Sequence, residues 1–264
     1  VLNFFETLDD GTNDICGPTG DQECRGADSA DELIRQRDKI VAGLTALDAD
    51  VIGLVEIEND TDDSALQNLV DGMNTVAGAG TYDFIATGAI GDDAIRVGIV
   101  YKPGVVAPAG AFAVLDDSVD PTYRDDFNRP ALAQTFEVTD SNNPDFGAKF
   151  TVAVLHLKSK GSACDGIGDP DVNDGQGNCN LTRLGATTAV ANWLAADPTA
   201  SGDADTILLG DFNAYYNEDP LTYLYNNGYA NLSAAEAYSY VFDGQWGALD
   251  HAIADWQAEH LTAG

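Results

Sequence analysis

Apolar positions along the chain change their period several times, and each change marks an element. Leu33, Ile40, Leu44 and Leu47 recur at spacings of seven, four and three, with Arg35, Arg37 and Lys39 among the polar positions, which predicts an amphipathic helix. Ser29-Ala30-Asp31-Glu32 stands at its start as a capping box, in which hydroxyl and carboxylate satisfy reciprocal orphan amides; Asp48 and Asp50 end it. Val51-Ile52-Gly53-Leu54-Val55 is a continuous apolar run between acids, the pattern of a strand buried on both faces, and it stops at Glu56. A second helix is predicted through Leu66, Leu69, Val70 and Met73. Strands follow around residues 84–86, 97–101, 132–138 and 150–157, with Pro103-Gly104 as a turn. Residues 184–196 read as a helix and 206–209 as another buried strand, closing on Gly210-Asp211-Phe212-Asn213. That order, strand and helix alternating and then mostly strands, predicts an α/β fold: a four-layer sandwich of two packed mixed β-sheets flanked by helices. No repeat and no Ser/Pro linker divides the sequence, so residues 1–264 are expected to form a single domain.

Composition narrows the class. The 264 residues are 44% hydrophobic, enough for a sizeable core, which excludes disordered and fibrous proteins. No apolar run approaches the roughly 18 to 20 residues of a membrane helix, so a soluble protein is expected. The opening Val1-Leu2-Asn3-Phe4-Phe5 has neither an initiator Met nor a basic-then-apolar leader, so any export signal would precede it.

Charge changes the picture most. The 44 acidic and 12 basic residues give −32, with 35 of the acids Asp and only five Lys. A short-stemmed acidic surface of this kind suits strong brine, where a Debye length of about 3 Å at 1 M removes most of its self-repulsion. The four cysteines fall into two close pairs in Gly/Asp-rich stretches, Cys16 with Cys24 and Cys164 with Cys179. Of the three possible connectivities, short loops favour the neighbour pairing. No Cys-x-x-Cys occurs and the histidines lie far from either pair, which argues against zinc and for an oxidising compartment.

Polar residues at strand ends carry the candidate chemistry. Glu56 stops an apolar strand, His156 sits inside the run from Thr151 to Leu157, and Asp211 and Asn213 directly follow Ile207-Leu208-Leu209. Each is costly to bury unless paired or metal-bound. One alone is more often structural than functional. Together, at the ends of sheet strands, they are expected to gather into one hard-cation and phosphate site.

The motifs Asn3, Val55-Glu56-Ile57-Glu58-Asn59, Arg96-Val97-Gly98-Ile99-Val100-Tyr101-Lys102-Pro103, Leu155-His156-Leu157-Lys158-Ser159-Lys160, Gly210-Asp211-Phe212-Asn213-Ala214 and Leu249-Asp250-His251-Ala252 occur in a familiar order. In that order the chain resembles the endonuclease/exonuclease/phosphatase superfamily, to which pancreatic deoxyribonuclease belongs. Cys24-Arg25-Gly26-Ala27-Asp28, Asn128-Arg129-Pro130, Asp174-Gly175-Gln176-Gly177 and the stretch Tyr238-Ser239-Tyr240-Val241-Phe242-Asp243-Gly244-Gln245 look like its large secreted bacterial endonucleases. The resemblance covers nearly the whole chain.

The resemblance implies roles. Glu56 would hold a divalent cation with Asn3 in its shell; Mg²⁺ is the first choice, with Mn²⁺ or Ca²⁺ as alternatives. His156 would donate to the scissile phosphate or protonate the leaving oxygen. Asp211 would orient or deprotonate the attacking water, Asn213 would hydrogen-bond a non-bridging oxygen, and Asp250 would position His156 or the substrate. Arg96, Arg129, Lys158 and Lys160 are the expected phosphate clamps. The implied enzyme is a secreted, monomeric endonuclease acting on DNA, with RNA as an alternative substrate and no membrane partner.

One departure stands out. The superfamily ends on Ser-Asp-His followed closely by Pro, whereas Asp250-His251 precedes Ala252-Ile253 and reads as the earlier Asp motif. The terminal segment is therefore expected to lie beyond Gly264, with His251 as the terminal histidine the other reading. The stretch Asp169-Pro170-Asp171-Val172-Asn173 imitates the start of a calcium loop, but Asp174 and Asn180 occupy the Gly and Glu positions, so it is not an EF-hand. A solvated loop stapled by Cys164 and Cys179 is expected, with an irregular Ca²⁺ site as the alternative. Asn59, Asn180 and Asn231 begin sequons by pattern only. Lipid or inositol phosphoesterases of the same fold are the runner-up function, although no exposed aromatic cluster suited to membrane docking is apparent. A catalytically inactive secreted binding module is the third.

Overall fold

In the computed structural model, which describes residues 1–233 and 238–255, the chain begins α1 (Ala30–Leu47), β1 (Val51–Glu58), α2 (Ser64–Ala77), β2 (Asp83–Phe84), β3 (Ile95–Tyr101) and β4 (Val106–Pro108). It continues β5 (Ala113–Leu115), β6 (Arg129–Val138), β7 (Lys149–His156), α3 (Asn180–Ala195), β8 (Thr206–Asp211), α4 (Asp219–Asn226), β9 (Tyr229–Asn231), β10 (Tyr240–Phe242), β11 (Gln245–Gly247) and β12 (Asp250–Asp255). His260 lies outside the described residues. Two compact units emerge: Val1–Pro108 with Glu137–Ala148, and Ala109–Phe136 with Lys149–Gly264. Each is a sheet with its own pair of helices, the α/β class that the sequence predicts.

In the first unit β1, β3 and β2 form an antiparallel sheet, and α2 covers it because Leu66, Leu69, Val70 and Met73 all bury against Ile52, Leu54 and Val100. The opening segment contributes one parallel bridge, Phe4 to Ile57, in place of a strand. Helix α1 starts after Ser29 as predicted, but the serine hydroxyl makes no capping bond, and Glu32 Oε2 instead accepts the Asp28 amide at 3.3 Å. Its inward face uses Val41, Leu33, Ile40 and Leu44, whereas Leu47 is exposed where Asp48 turns the chain left-handed. Strand β1 is half-buried on one face rather than buried on both, and it runs past Glu56 to Glu58 through a bulge between Leu54 and Ile57.

In the second unit the strand order is β6-β7-β8-β12-β9, with β5 paired to β6. Strands β7 and β8 are parallel and β12 runs antiparallel to β8, so the sheet is mixed. Ala186, Ala189, Val190 and Trp193 of α3 and Leu221 and Leu224 of α4 bury with Ala153, Leu155 and Leu208 of the sheet. Gly210 has φ +135°, and a Cβ there would stand 2.0 Å from the Leu155 carbonyl oxygen. Only glycine lets β8 approach β7 so closely one residue before Asp211.

Both disulfides join sequence neighbours, Cys16 to Cys24 and Cys164 to Cys179. Among the described residues no helix is long and apolar enough to cross a membrane. The hairpin β10–β11 overturns one sequence expectation: Tyr240, Val241, Phe242 and Trp246 are all exposed, so an exposed aromatic cluster does exist. Tyr240, Val241 and Phe242 are consecutive and Trp246 pairs with Val241, so the apolar side chains of this short ribbon are divided between its two faces.

Candidate functional site

Strand register builds the central feature of the second unit. Parallel pairing sets His156 opposite Asp211, and antiparallel pairing sets Asp250 opposite the same Asp211. Residues directly opposite one another share a sheet face, so an imidazole and two carboxylates stand in one row at the same edge. His156 Nε2 lies 3.8 Å from Asp211 Oδ2, within electrostatic range but too long for a hydrogen bond. The imidazole is buried, whereas Asp250 is exposed. Asn213 closes the row two residues beyond Asp211. Its left-handed backbone (φ 47°) lets its amide donate to Asp211 Oδ1 at 2.7 Å while its Nδ2 donates to the Leu157 carbonyl at 2.9 Å. One Nδ2 hydrogen and Oδ1 are not used by these contacts.

Around this row the expected phosphate clamps diverge. Lys158 follows β7 and is half-buried; its amide donates to Asn128 Oδ1 at 3.0 Å and its ammonium to Ser162 Oγ. Arg129, also half-buried, opens β6 directly after Asn128. Lys160 departs from expectation: its ammonium is bound to Glu218 and to the Gln176 carbonyl and sits over the Tyr215 ring at 4.8 Å. Burial holds its pKa below the ordinary lysine value despite Glu218. It holds loops together rather than waiting for an anion.

Sequence reasoning missed Arg183. Fully buried on α3, it donates to the carbonyls of Lys158 (3.1 Å), Asn178 (2.7 Å) and Gln176 (3.1 Å), fixing the segment that follows His156. Burial lowers its pKa as well. A charge directly ahead of the apolar helical stretch 184–196 was the available signal. Asn128, to which the motif alone assigns no role, bridges Lys158 to the Tyr123 carbonyl.

The first unit holds Asn3, Glu56 and Arg96. Glu56 lies in the bulge of β1 with φ 60°, a strained conformation for a non-glycine residue, of the kind found where a side chain must be aimed. Its Oε2 accepts the Asn3 amide at 3.0 Å, and its carbonyl accepts Phe4 N at 2.9 Å, so the left-handed Asn3 (φ 44°) is fixed beside it. Glu58 is buried, with Oε2 taking the amides of Glu6 (2.9 Å) and Thr7 (3.0 Å), and desolvation raises its pKa. Asn59, fully buried, holds the loop of residues 90–93 through four hydrogen bonds, to Ile90, Gly91 and Asp93. Its sequon is thus inaccessible.

Arg96 is the second departure among the clamps. It is completely buried, with Nη2 2.7 Å from Asp63 Oδ1 and 3.4 Å from Asp60 Oδ1 and Nη1 donating to Thr87 Oγ1 at 3.2 Å. Every residue of β3 is buried, so its charge is neutralised inside the fold. As for a cation, no group of three or more His, Cys, Asp or Glu side chains capable of holding a metal occurs among the described residues. Glu56 fits an ion that takes one or two protein carboxylates and fills its shell with water and phosphate oxygen, which is how Mg²⁺ binds.

His251 sits one residue from Asp250 and therefore on the opposite sheet face. Its Nε2 donates to the Ala214 carbonyl at 2.9 Å and its Nδ1 accepts from Asn231 Nδ2 at 3.0 Å; burial lowers its pKa. Both ring nitrogens are committed to the fold. The acidic loop is likewise structural at Asp169, whose buried carboxylate accepts the amides of Leu181 (3.1 Å) and Thr182 (2.8 Å) and so caps α3.

Among solved structures, the chain is similar to an endonuclease/exonuclease/phosphatase family protein from Bacteroides thetaiotaomicron. Identity is 17% over 86% of this chain and 76% of that one, with a TM-score of 0.60. A mannosyl-6-phosphatase from the same organism gives 16% identity over 86% and 78% with a TM-score of 0.59. The human Nocturnin catalytic domain gives 16% over 84% and 75% with a TM-score of 0.53. These likenesses show the fold. No curated protein matches the chain significantly. The Endonuclease/Exonuclease/phosphatase family model matches residues 24–259, and the chain belongs to that family, whose members are hydrolases acting on phosphoester bonds.

Proposed function

We propose that the protein is a secreted, divalent-cation-dependent nuclease that hydrolyses phosphodiester bonds of DNA and, by the same chemistry, of RNA. The observation that carries this reading is the row His156–Asp211–Asp250, set by the register of three adjoining strands. Asp211 accepts a proton from, and orients, the attacking water; His156 donates to the phosphate or to the leaving oxygen. Asn213 offers its remaining Nδ2 hydrogen to a non-bridging oxygen whose charge grows in the transition state. Asp250 orients the substrate beside Asp211. Lys158 and Arg129 serve the phosphate, whereas Arg96 and Lys160 serve the fold. Glu56, with Asn3 beside it, would hold Mg²⁺, or alternatively Mn²⁺ or Ca²⁺, whose chemistry when bound is to neutralise phosphoryl charge. The two disulfides support an extracellular location, and the net charge of −32 supports a saline one.

The test compares turnover of plasmid DNA, a soluble phosphomonoester and phospholipid vesicles, each with and without chelator. Plasmid cleavage lost on chelation is expected. Turnover of the monoester or lipid without plasmid cleavage would replace the nuclease with a phosphatase or lipid phosphoesterase, and no turnover of any would leave a binding module.

A further inference from the structure

A groove of about 1000 Å³ opens in the second unit beside the exposed hairpin. Its aromatic lining is Tyr215, Tyr216, Tyr238, Phe242 and Trp246, and Gln176, Asn217 and Gln245 supply amides. Among the described residues no Lys or Arg lines it, and its Glu218 carboxylate is already bound by Lys160. Several aromatic faces are open to solvent: Phe242 is 63% and Trp246 67% exposed. The rings are ordered against one another, with Tyr240 and Phe242 near-parallel at 6.4 Å and Tyr238 edge-on to Trp246 at 5.4 Å. At the base of the hairpin a Cβ on Gly247 would fall 2.7 Å from the Tyr215 ring, so glycine there allows close approach. Ser239 Oγ accepts the amides of Leu249 (3.0 Å) and Asp250 (3.1 Å), which ties this wall to the catalytic row.

Such a lining suits a flat, uncharged ring with hydrogen-bonding edges and offers a phosphate no cation, while Asp174 and Glu218 add negative charge beside it. It also answers an electrostatic difficulty. In most nucleic-acid complexes Lys and Arg contacts to phosphates supply affinity by releasing counterions. Here the net charge is −32, and Arg25, Arg37, Arg96, Lys102, Arg124 and Lys160 are all in ion pairs with the protein's own carboxylates. Stacking on aromatic rings is available to every base and does not depend on charge. Resting on the nuclease reading, we propose that this groove stacks an unpaired nucleobase of the strand being cut, so that the enzyme selects single-stranded over duplex substrate and holds it in high salt. A base inside a duplex is covered by its neighbours and cannot enter.

The experiment measures binding of a labelled oligothymidylate and of the corresponding duplex to the protein in chelator, at low and at molar salt. Phe242→Ala, Trp246→Ala and Trp246→Phe are compared, with turnover of bis(4-nitrophenyl) phosphate as a measure of chemistry that needs no base. Expected results are single-strand preference, affinity that survives molar salt, and a loss of roughly five- to hundredfold for each alanine variant. Trp246→Phe should restore most of the binding, and turnover of the small diester should stay unchanged. Equal affinity for duplex, unaltered binding by both alanine variants, or displacement by a neutral oligosaccharide but not by adenosine would overturn the proposal. If no nucleic acid is cut yet adenosine still binds and Trp246→Ala abolishes that binding, the nuclease reading fails while the nucleobase site stands.

Discussion

Replacing Arg96 with alanine separates a structural cation from a phosphate clamp. The guanidinium is fully buried, 2.7 Å from Asp63 and 3.4 Å from Asp60, so its removal leaves buried carboxylate charge without its partner. Breaking a buried pair from one side costs about 3–5 kcal/mol. The damage extends further, because Asp60 Oδ2 also accepts the Ala65 amide at 2.7 Å in the first turn of α2 and Asp63 Oδ2 accepts the Gly88 amide at 3.0 Å. At roughly 2–4 °C per kcal/mol for a domain of this size, the melting temperature should fall by about 6–20 °C. Thermal melts and urea titrations measure this, and steady-state kinetics well below the lowered midpoint measure KM. Combining Arg96→Met with Asp63→Asn should recover part of the loss, since a charge is then removed from both sides. A melting temperature within a few degrees of the parent together with a raised KM would show that Arg96 meets substrate and that its burial has been misread.

Other substitutions and conditions carry equally definite expectations. Gly210→Ala should cost about 4 kcal/mol or more, because the residue would be held in a glycine-only conformation against the Leu155 carbonyl; a denaturation midpoint close to that of the parent would contradict the packing of β7 on β8. Burial keeps His251 neutral with a pKa below its unfolded value, so the unfolded chain binds the proton more readily and stability falls as pH drops through about 6.5. His251→Gln should remove that part of the slope, and an unchanged slope would assign it elsewhere. The acidic surface predicts a melting temperature that rises steeply from low to molar salt, which calorimetry at a series of salt concentrations checks; a flat profile would leave the composition unexplained.

Much of this was legible in the sequence for a physical reason. Strands β7 and β8 are apolar runs ended by single polar residues, which is why His156 and Asp211 stood out, and the neighbour disulfides follow from short loops, whereas the cap of α3 comes from Asp169, 13 residues before Thr182, and left no local signal. Register was not legible, because an apolar run does not say which partner it pairs with; the opposition of Asp250 to Asp211 comes from tertiary structure alone. A basic residue inside a motif suggests a phosphate clamp, the expectation for Arg96 and Lys160. Yet Arg96 lies between Ile95 and Val97 in a wholly buried strand, and its acids are 33 and 36 residues away. The bulge that turns Glu56 leaves no mark in the hydrophobic pattern. The apolar run Tyr240-Val241-Phe242 would pass for a core strand, whereas the fold leaves it exposed.

The central claim is that the row at the ends of β7, β8 and β12 performs phosphodiester hydrolysis. Single-turnover cleavage of DNA by His156→Ala and Asp211→Asn, at saturating divalent cation and with DNA affinity and melting temperature measured on the same samples, tests it most directly. Each variant should lose roughly 10²–10⁴-fold in rate, the scale of general acid–base catalysis, while binding DNA and folding like the parent. Cleavage by both variants within a few-fold of the parent rate would place the chemistry elsewhere in the molecule.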